Sequence, residues 1–334
     1  MDQDLPEWLT ERTRWLVRPD QTDHGPGQFV LYWMHSALRA HHNPALDVAI
    51  CLARQNGLPL LIYHGLSENY PFASDRHHAF ILQGARDVQH EMSQRGLPYV
   101  FHLQRQGDRG PHLRDLTRRA AVLVSEEMPV EPVIGWIERL TQITSTPIAA
   151  VDTSCVLPIR AYEGPVDLAY RFRRATKSEY QKRLQTPYAE QPADCVAYDG
   201  PLPFQPLDLQ RHCIASLLKD CRIDHSVAPV TETPGGSRAG YQRWERFFAN
   251  GLEKYQRMRG RAGNRESVSR LSAYFHYGMI SPLRIAQRAL ELRASKYVNQ
   301  LMIWRELAFH FCARQPDRVE SLECLPAWAQ RTLI

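Results

Sequence analysis

The chain has 334 residues, a formal net charge of +5, 43% hydrophobic and 23% charged residues, an ordinary globular composition with length for two domains or one large one. No apolar run reaches the roughly 18 residues of a membrane-spanning helix, and the acidic start Met1-Asp-Gln-Asp lacks a basic-then-apolar secretory signal; the cytoplasm is the expected location, and no membrane is expected as a partner. Seven widely spaced cysteines without a C-x-x-C pair argue against a disulfide framework, a zinc ribbon or an iron–sulfur cluster and predict buried free thiols.

Residues 1–27 read as an N-terminal extension, a short amphipathic start (Leu5, Trp8, Leu9) followed by a loop. Residues 29–34 form a continuous β-type apolar run, suited to a strand buried on both faces. Asn43-Pro44 supplies a cap and a proline at the first helical position, opening a helix that stops at Gly57. The pattern repeats: strand 58–63, helix 75–94 closed by Gly96, strand 97–102, helix 111–119, strand 121–124, helix 132–144 and strand 147–151. This alternation predicts an α/β doubly wound parallel sheet over residues 28–155. The absence of a G-x-G-x-x-G turn and of a G-x-x-x-x-G-K-[ST] loop removes support for dinucleotide and P-loop functions.

Residues 156–236 read as an interdomain linker with short helices, one of them around 170–184, with the proline-rich stretch Pro201-Leu-Pro-Phe-Gln-Pro206 and the punctuation Pro234-Gly-Gly236. Residues 237–334 read as all-α, beginning with the core-facing stripe Tyr241, Trp244, Phe248, Leu252, Tyr255. Within it, Ser267, Ser269 and Ser272 alternate with apolar residues before an aromatic segment; short hydroxyls and free N–H groups at a helix start suit a phosphate. The run 297–311 predicts one buried helix in which Gln300, Trp304 and Ala308 share a face suited to a flat ligand. Basic residues crowd 171–183 and 257–270, either as solvated faces or as phosphate-backbone contacts. His41-His42 and His77-His78 point apart on a helix, so no metal is expected.

The stretches "SRLSAYFHYGMISP" (269–282), "WRELAFHFC" (304–312) and "SLECLPAW" (321–328), preceded by "FVLYWMHSALRAHHNPAL" (29–46), resemble in order the DNA photolyase/cryptochrome family, most closely its class II cyclobutane pyrimidine dimer enzymes. The resemblance implies a photolyase antenna-like α/β domain followed by an all-α FAD-binding domain, here C-terminally short and so read as truncated. It implies light-dependent repair of cyclobutane pyrimidine dimers in DNA by electron transfer from reduced FAD, a deoxyribodipyrimidine photo-lyase activity, with damaged DNA as partner and a second, antenna chromophore of open identity. By resemblance, Tyr255, Ser269, Leu271 (through its backbone) and Ser272 hold FAD, Gln300 and Trp304 line the lesion pocket, and Arg259 and Arg305 meet DNA. Residue by residue, Tyr255 is otherwise a core tyrosine, Arg259 a surface arginine and His310 a core histidine or a ligand contact. The family's second glutamate is Gln300 here, which can donate a hydrogen bond at any pH but cannot hold an acidic proton. A cryptochrome-like flavin photoreceptor and a non-catalytic remnant are the alternatives.

Overall fold

The computed structural model describes residues 5–22, 24–261 and 263–333; the expectations placed on residues 1–4 and on Ile334 lie outside the described residues. Six strands, β1 (Thr13–Val17), β2 (Val30–Trp33), β3 (Leu60–Leu66), β4 (Tyr99–Leu103), β5 (Val122–Glu126) and β6 (Ile148–Val151), form one sheet in the order β1-β6-β5-β2-β3-β4. All neighbours are parallel except β1, which runs antiparallel to β6 with a register shift between Trp15 and Val17. The sheet is therefore mixed and six-stranded rather than parallel throughout. The extra edge strand lies where a loop was expected: its five residues are all only partly buried and have too little alternation to announce a strand without the partner that pairs them.

The parallel strands follow from their sequence. Val30, Tyr32, Leu60, Ile62, Val122 and Val124 point into one apolar cluster, and Phe29, Leu31, Trp33, Leu61, Tyr63 and Leu123 into another. This is the period-two alternation of a sheet covered on both faces. The helices of this layer are α1 (Glu7–Thr10), α2 (Pro44–Asn56), α3 (Asp75–Gln94), α4 (His112–Arg119) and α5 (Val133–Ile143). The start and stop of α2 are chemical: Asn43 Oδ1 accepts from the N–H groups of Ala45 and Leu46, each at 3.2 Å, and Gly57 ends the helix at φ +60°.

At the carboxyl ends of β5 and β2 the strand order reverses, the place where open α/β sheets take ligands. Here the buried Glu126 carboxylate accepts from the N–H groups of His35 and Ala37, both at 3.0 Å, and from those of Ser36 and the Tyr32 hydroxyl. The backbone donors at the switch point are thus satisfied from within the chain.

After β6 come α6 (Ala169–Gln185), α7 (Ile214–Lys219), α8 (Ser237–Asn250), α9 (Tyr255–Met258), α10 (Ser272–His276), α11 (Pro282–Glu291), α12 (Ser295–Asn299), α13 (Arg305–Arg314) and α14 (Ala327–Leu333). Their core is continuous with one face of the sheet, running from Val30 and Tyr32 through Leu82 and Val88 to Trp244, Tyr274, Met279 and Tyr297. The joint is polar at its centre. Arg39, almost fully buried, donates to the carbonyls of His42 (2.9 Å), Gly278 (2.8 Å) and Thr153 (2.7 Å), tying its own loop to two remote segments with charge-assisted bonds. Among the described residues, no helix is long and apolar enough to cross a membrane.

Candidate cofactor and nucleic-acid site

The aromatic stripe on α8 ends on one ring that sequence reasoning did not single out. Tyr297, on α12, packs against Trp244 (centroids 5.6 Å apart), Phe247 (5.6 Å) and Tyr255 (5.2 Å, interplanar angle 80°). The Tyr255–Tyr297 contact is edge-to-face, the arrangement ring quadrupoles favour. Tyr297 then donates its hydroxyl to Ser269 Oγ at 3.2 Å. Tyr255 and Ser269, fourteen positions apart in sequence, therefore meet on the same phenol. Burial raises the Tyr255 pKa, and the neighbouring Arg259, itself an exposed residue, opposes the rise.

The loop before α10 sorts its hydroxyls. Ser267 is buried and donates to Asn264 O at 2.7 Å, which turns it inward. Ser269 is half-buried and Ser272 exposed, with the fully buried Leu271 as the anchor between them. Arg270 adopts φ +55°, a left-handed conformation that costs a non-glycine residue roughly 1–2 kcal/mol. Such strain concentrates at ligand sites. Because α10 has only five residues, the hydroxyls and the exposed Arg257, Arg259, Arg261 and Arg270, more than a helix dipole, are what this loop offers an anion.

Residues 295–314 are not one regular helix. Between α12 and α13 lies a π turn, Gln300–Trp304, with Arg305 N donating to Gln300 O. The wide turn buries Leu301, Met302 and Ile303, leaves Gln300 half-buried and puts Trp304 at 54% exposure. Ala308 is exposed as well. The expected face of Gln300, Trp304 and Ala308 is therefore at the surface rather than within a buried helix, because the π turn shifts the register that a uniform 3.6-residue period assumes. Asn299 Oδ1 accepts from Arg173 Nε at 2.7 Å, which brings the basic face of α6 beside this turn. Arg305 is tied inward: it donates to Ser154 O at 2.8 Å and lies over the rings of Phe309 (4.6 Å) and Phe275 (5.6 Å).

Beneath this surface sits a residue that sequence reasoning passed over. Glu306 is fully buried and accepts from Val156 N (2.8 Å), Leu157 N (3.1 Å) and the Tyr180 hydroxyl (2.8 Å). Burial pushes its pKa up to about 7, against the pull of Arg305 and of those hydrogen bonds. An acidic residue inside an otherwise apolar run was the available signal. His310, one turn on, is buried too, with Nε2 3.2 Å from Leu157 O and its ring edge-on to Tyr162; burial lowers its pKa. It stands as a core residue on the buried face of α13. A cavity of about 260 Å³ opens elsewhere, between α1, the end of α6 and the start of α11, and is lined by Arg39, His42, Thr153 and Tyr188 but by none of the predicted site residues.

Comparison with known proteins agrees with this architecture. Residues 30–191 match the family model described as DNA photolyase. The deoxyribodipyrimidine photo-lyase of Methanothermobacter thermautotrophicus is 27% identical over 311 residues, covering 92% of this chain and 66% of the relative. That of Potorous tridactylus is 25% identical over 314 residues, covering 92% and 57%. The chain thus spans under two thirds of the length of these relatives. Among solved structures, a class III photolyase from Agrobacterium tumefaciens superimposes with a TM-score of 0.62 at 17% identity, covering 87% of this chain and 60% of that one. A Synechocystis cryptochrome does so with a TM-score of 0.64 at 15% identity, covering 86% and 61%. At such identities the structural likeness speaks for the fold alone. Joined to the sequence likeness across nine-tenths of the chain, it shows this protein to be similar to the DNA photolyases along most of its length.

Proposed function

We propose that the protein binds FAD and repairs cyclobutane pyrimidine dimers in DNA under light, with residues 237–334 carrying the cofactor and residues 28–155 the antenna layer. What supports this most is the likeness over 92% of the chain to relatives that are themselves deoxyribodipyrimidine photo-lyases. The donor set of the 267–272 loop fits the phosphate end of FAD. Ser269 receives a hydrogen bond from Tyr297 and keeps its own proton to donate, and Ser272 sits exposed beside it. Tyr255 would close the site from α9, and Leu271 would present its backbone while its side chain fills the core. Reduced FAD, when bound, supplies the photoexcited electron for ring cleavage. The chain's residues would do the rest. Gln300 would donate its amide proton to a base carbonyl of the extruded dimer, a role independent of pH. Trp304, more than half exposed, offers a stacking face to that base. Arg259 would meet a phosphate at the surface and Arg305 would hold the junction beneath it, which predicts binding that weakens with salt.

The test is the visible absorption spectrum of light-protected protein, followed by FAD titration and a light-driven repair assay. Ser269→Ala/Ser272→Ala removes two neutral hydrogen bonds, roughly 1–3 kcal/mol together, and should weaken FAD binding on the order of 5- to 150-fold. No flavin released on denaturation, and none taken up on addition, would sink the proposal and leave a non-catalytic family member. The amide at Gln300, in place of an acid, favours a second reading, a flavin photoreceptor of cryptochrome type. Flavin binding without preference for dimer-containing DNA would select it.

A further inference from the structure

A cluster at the far edge of the sheet takes no part in the site above. Just past the end of β4 the chain makes a tight turn in which Asp108 N donates to Arg105 O at 3.0 Å and Gly107 adopts φ +84°. The turn carries the Asp108 carboxylate back against two imidazoles, His102 on β4 and His112 at the start of α4. Asp108 Oδ1 lies 3.1 Å from His102 Nε2 and 3.3 Å from His112 Nε2. The two histidine rings stand at 85° with centroids 4.5 Å apart, and Phe204 packs on both, at 5.0 and 5.1 Å. Both histidines are at least nine-tenths buried, while Asp108 remains about one-third exposed.

One atom in this group is out of place for a simple hydrogen-bonded cluster. Despite its 3.1 Å separation from the carboxylate, His102 Nε2 is off the line of a hydrogen bond and has no partner. A buried polar nitrogen left so costs free energy comparable to a lost hydrogen bond. The ligand atoms of all three residues lie within 4.8 Å of one another. A cation with bonds of about 2.1 Å needs ligand–ligand edges of about 3.0 Å in an octahedron and about 3.4 Å in a tetrahedron, so both nitrogen–oxygen edges already have the right length.

The geometry points to a divalent transition-metal site formed by His102, Asp108 and His112, of the zinc class. Two imidazoles and one carboxylate on three corners, with the carboxylate side open to solvent, suit a borderline cation that keeps exchangeable positions. Its structural consequence follows from Phe204. The ion would cross-link β4 to α4, and the Phe204 ring packed against both ligands would hold the 201–206 segment on this face of the sheet. Sequence reasoning weighed only adjacent histidine pairs and so missed a His-x5-Asp-x3-His spacing whose members converge only once the 105–108 turn forms.

The experiment is metal titration of the full chain after chelator treatment, by calorimetry with Zn²⁺ and by visible absorption with Co²⁺. One equivalent should bind, with ligand-field bands for Co²⁺. Asp108→Asn and His112→Ala should each weaken binding on the order of tenfold or more, since even outer-shell partners of a metal cost 10- to 100-fold. Gly110→Ala should weaken it too, because a Cβ there would lie 2.3 Å from His112 Cε1 and push the ring aside. His225→Ala, at an exposed His–Asp pair, should change nothing. Asp108→Asn sits at the surface, so its outcome does not depend on the fate of a buried ligand. Failure of Zn²⁺ and Co²⁺ to bind below about 1 mM, or binding that Asp108→Asn and His112→Ala leave unchanged, overturns the proposal and leaves a buried His–Asp–His cluster only.

Discussion

Gly278→Ala should lower the unfolding free energy by about 2–5 kcal/mol, combining an overpacking cost of 1–3 kcal/mol with a left-handed backbone cost of 1–2 kcal/mol. Gly278 has φ +59°, and a Cβ placed there would lie 2.2 Å from Ser36 O and 2.7 Å from Ala37 Cα. Those neighbours are backbone, so no rotamer change relieves the clash. The 36–39 loop would have to move, taking with it Leu38 N, which donates to Tyr277 O at 3.1 Å. Arg39 would lose its hold on Gly278 O, and the joint between sheet and helices would loosen at its one buried guanidinium among these contacts. Urea unfolding checks this through the midpoint at constant slope. A midpoint equal to that of the unaltered protein would show that the 36–39 loop does not bear on the helical region.

The second large effect is expected at Glu306. Glu306→Ala leaves two buried backbone N–H groups without their acceptor, while the Tyr180 hydroxyl keeps only Met302 O, and should cost about 3–5 kcal/mol. Its dependence on pH can be given a sign. The folded pKa of about 7 stands above the roughly 4.3 of an unfolded glutamate, so the folded state holds the proton more tightly. This contribution is fully present below about pH 4 and is lost as pH rises through about 7, a swing on the order of 3 kcal/mol. Asp47, pushed up to about 7 by burial, is lost over the same window. Glu306→Gln, which does not titrate, should therefore gain melting temperature relative to the unaltered protein as pH rises from about 4.5 to 7, with no further relative change above that. Identical slopes for the two proteins would place the Glu306 proton elsewhere.

On the acid side the sign reverses. Burial lowers His42 and His78 to about 4 and His64 to about 3. Each adds stability above the unfolded histidine value near 6.5 that is lost as pH falls toward the folded one. The two windows overlap, and because three histidines outweigh two carboxyls below the unfolded histidine value, calorimetry across pH should find the stability maximum slightly below neutral, near that value of about 6.5. A melting temperature that climbs steadily from pH 5 to 8 would contradict the assignment of Glu306 and Asp47.

Much of this molecule could be read without its coordinates, and the reasons are local. Residues 29–33 alternate between two faces because side chains in a strand do, and the whole run is apolar because both faces are covered. Asn43, Pro44 and Gly57 bound α2 through chemistry that acts over a few residues. The Ser-rich loop and the stripe from Trp244 to Tyr255 could be recognised for the same reason, since their spacing is written in consecutive turns.

What the sequence by itself determined, then, was the α/β alternation, the helix limits, the switch to an all-helical region and the family motifs that name the candidate residues. Tertiary structure alone decided the rest. β1 is a strand because β6 offers it an edge, and Gln300–Trp304 is a π turn that keeps Leu301, Met302 and Ile303 inside, a register no uniform helical period announces. Glu306 is an acceptor because Val156 and Leu157 lie 150 and 149 positions away in sequence and next to it in space. His102, Asp108 and His112 converge only across the turn that joins β4 to α4. Each of these depends on which groups are brought together after the chain has closed, and no short-range period records that.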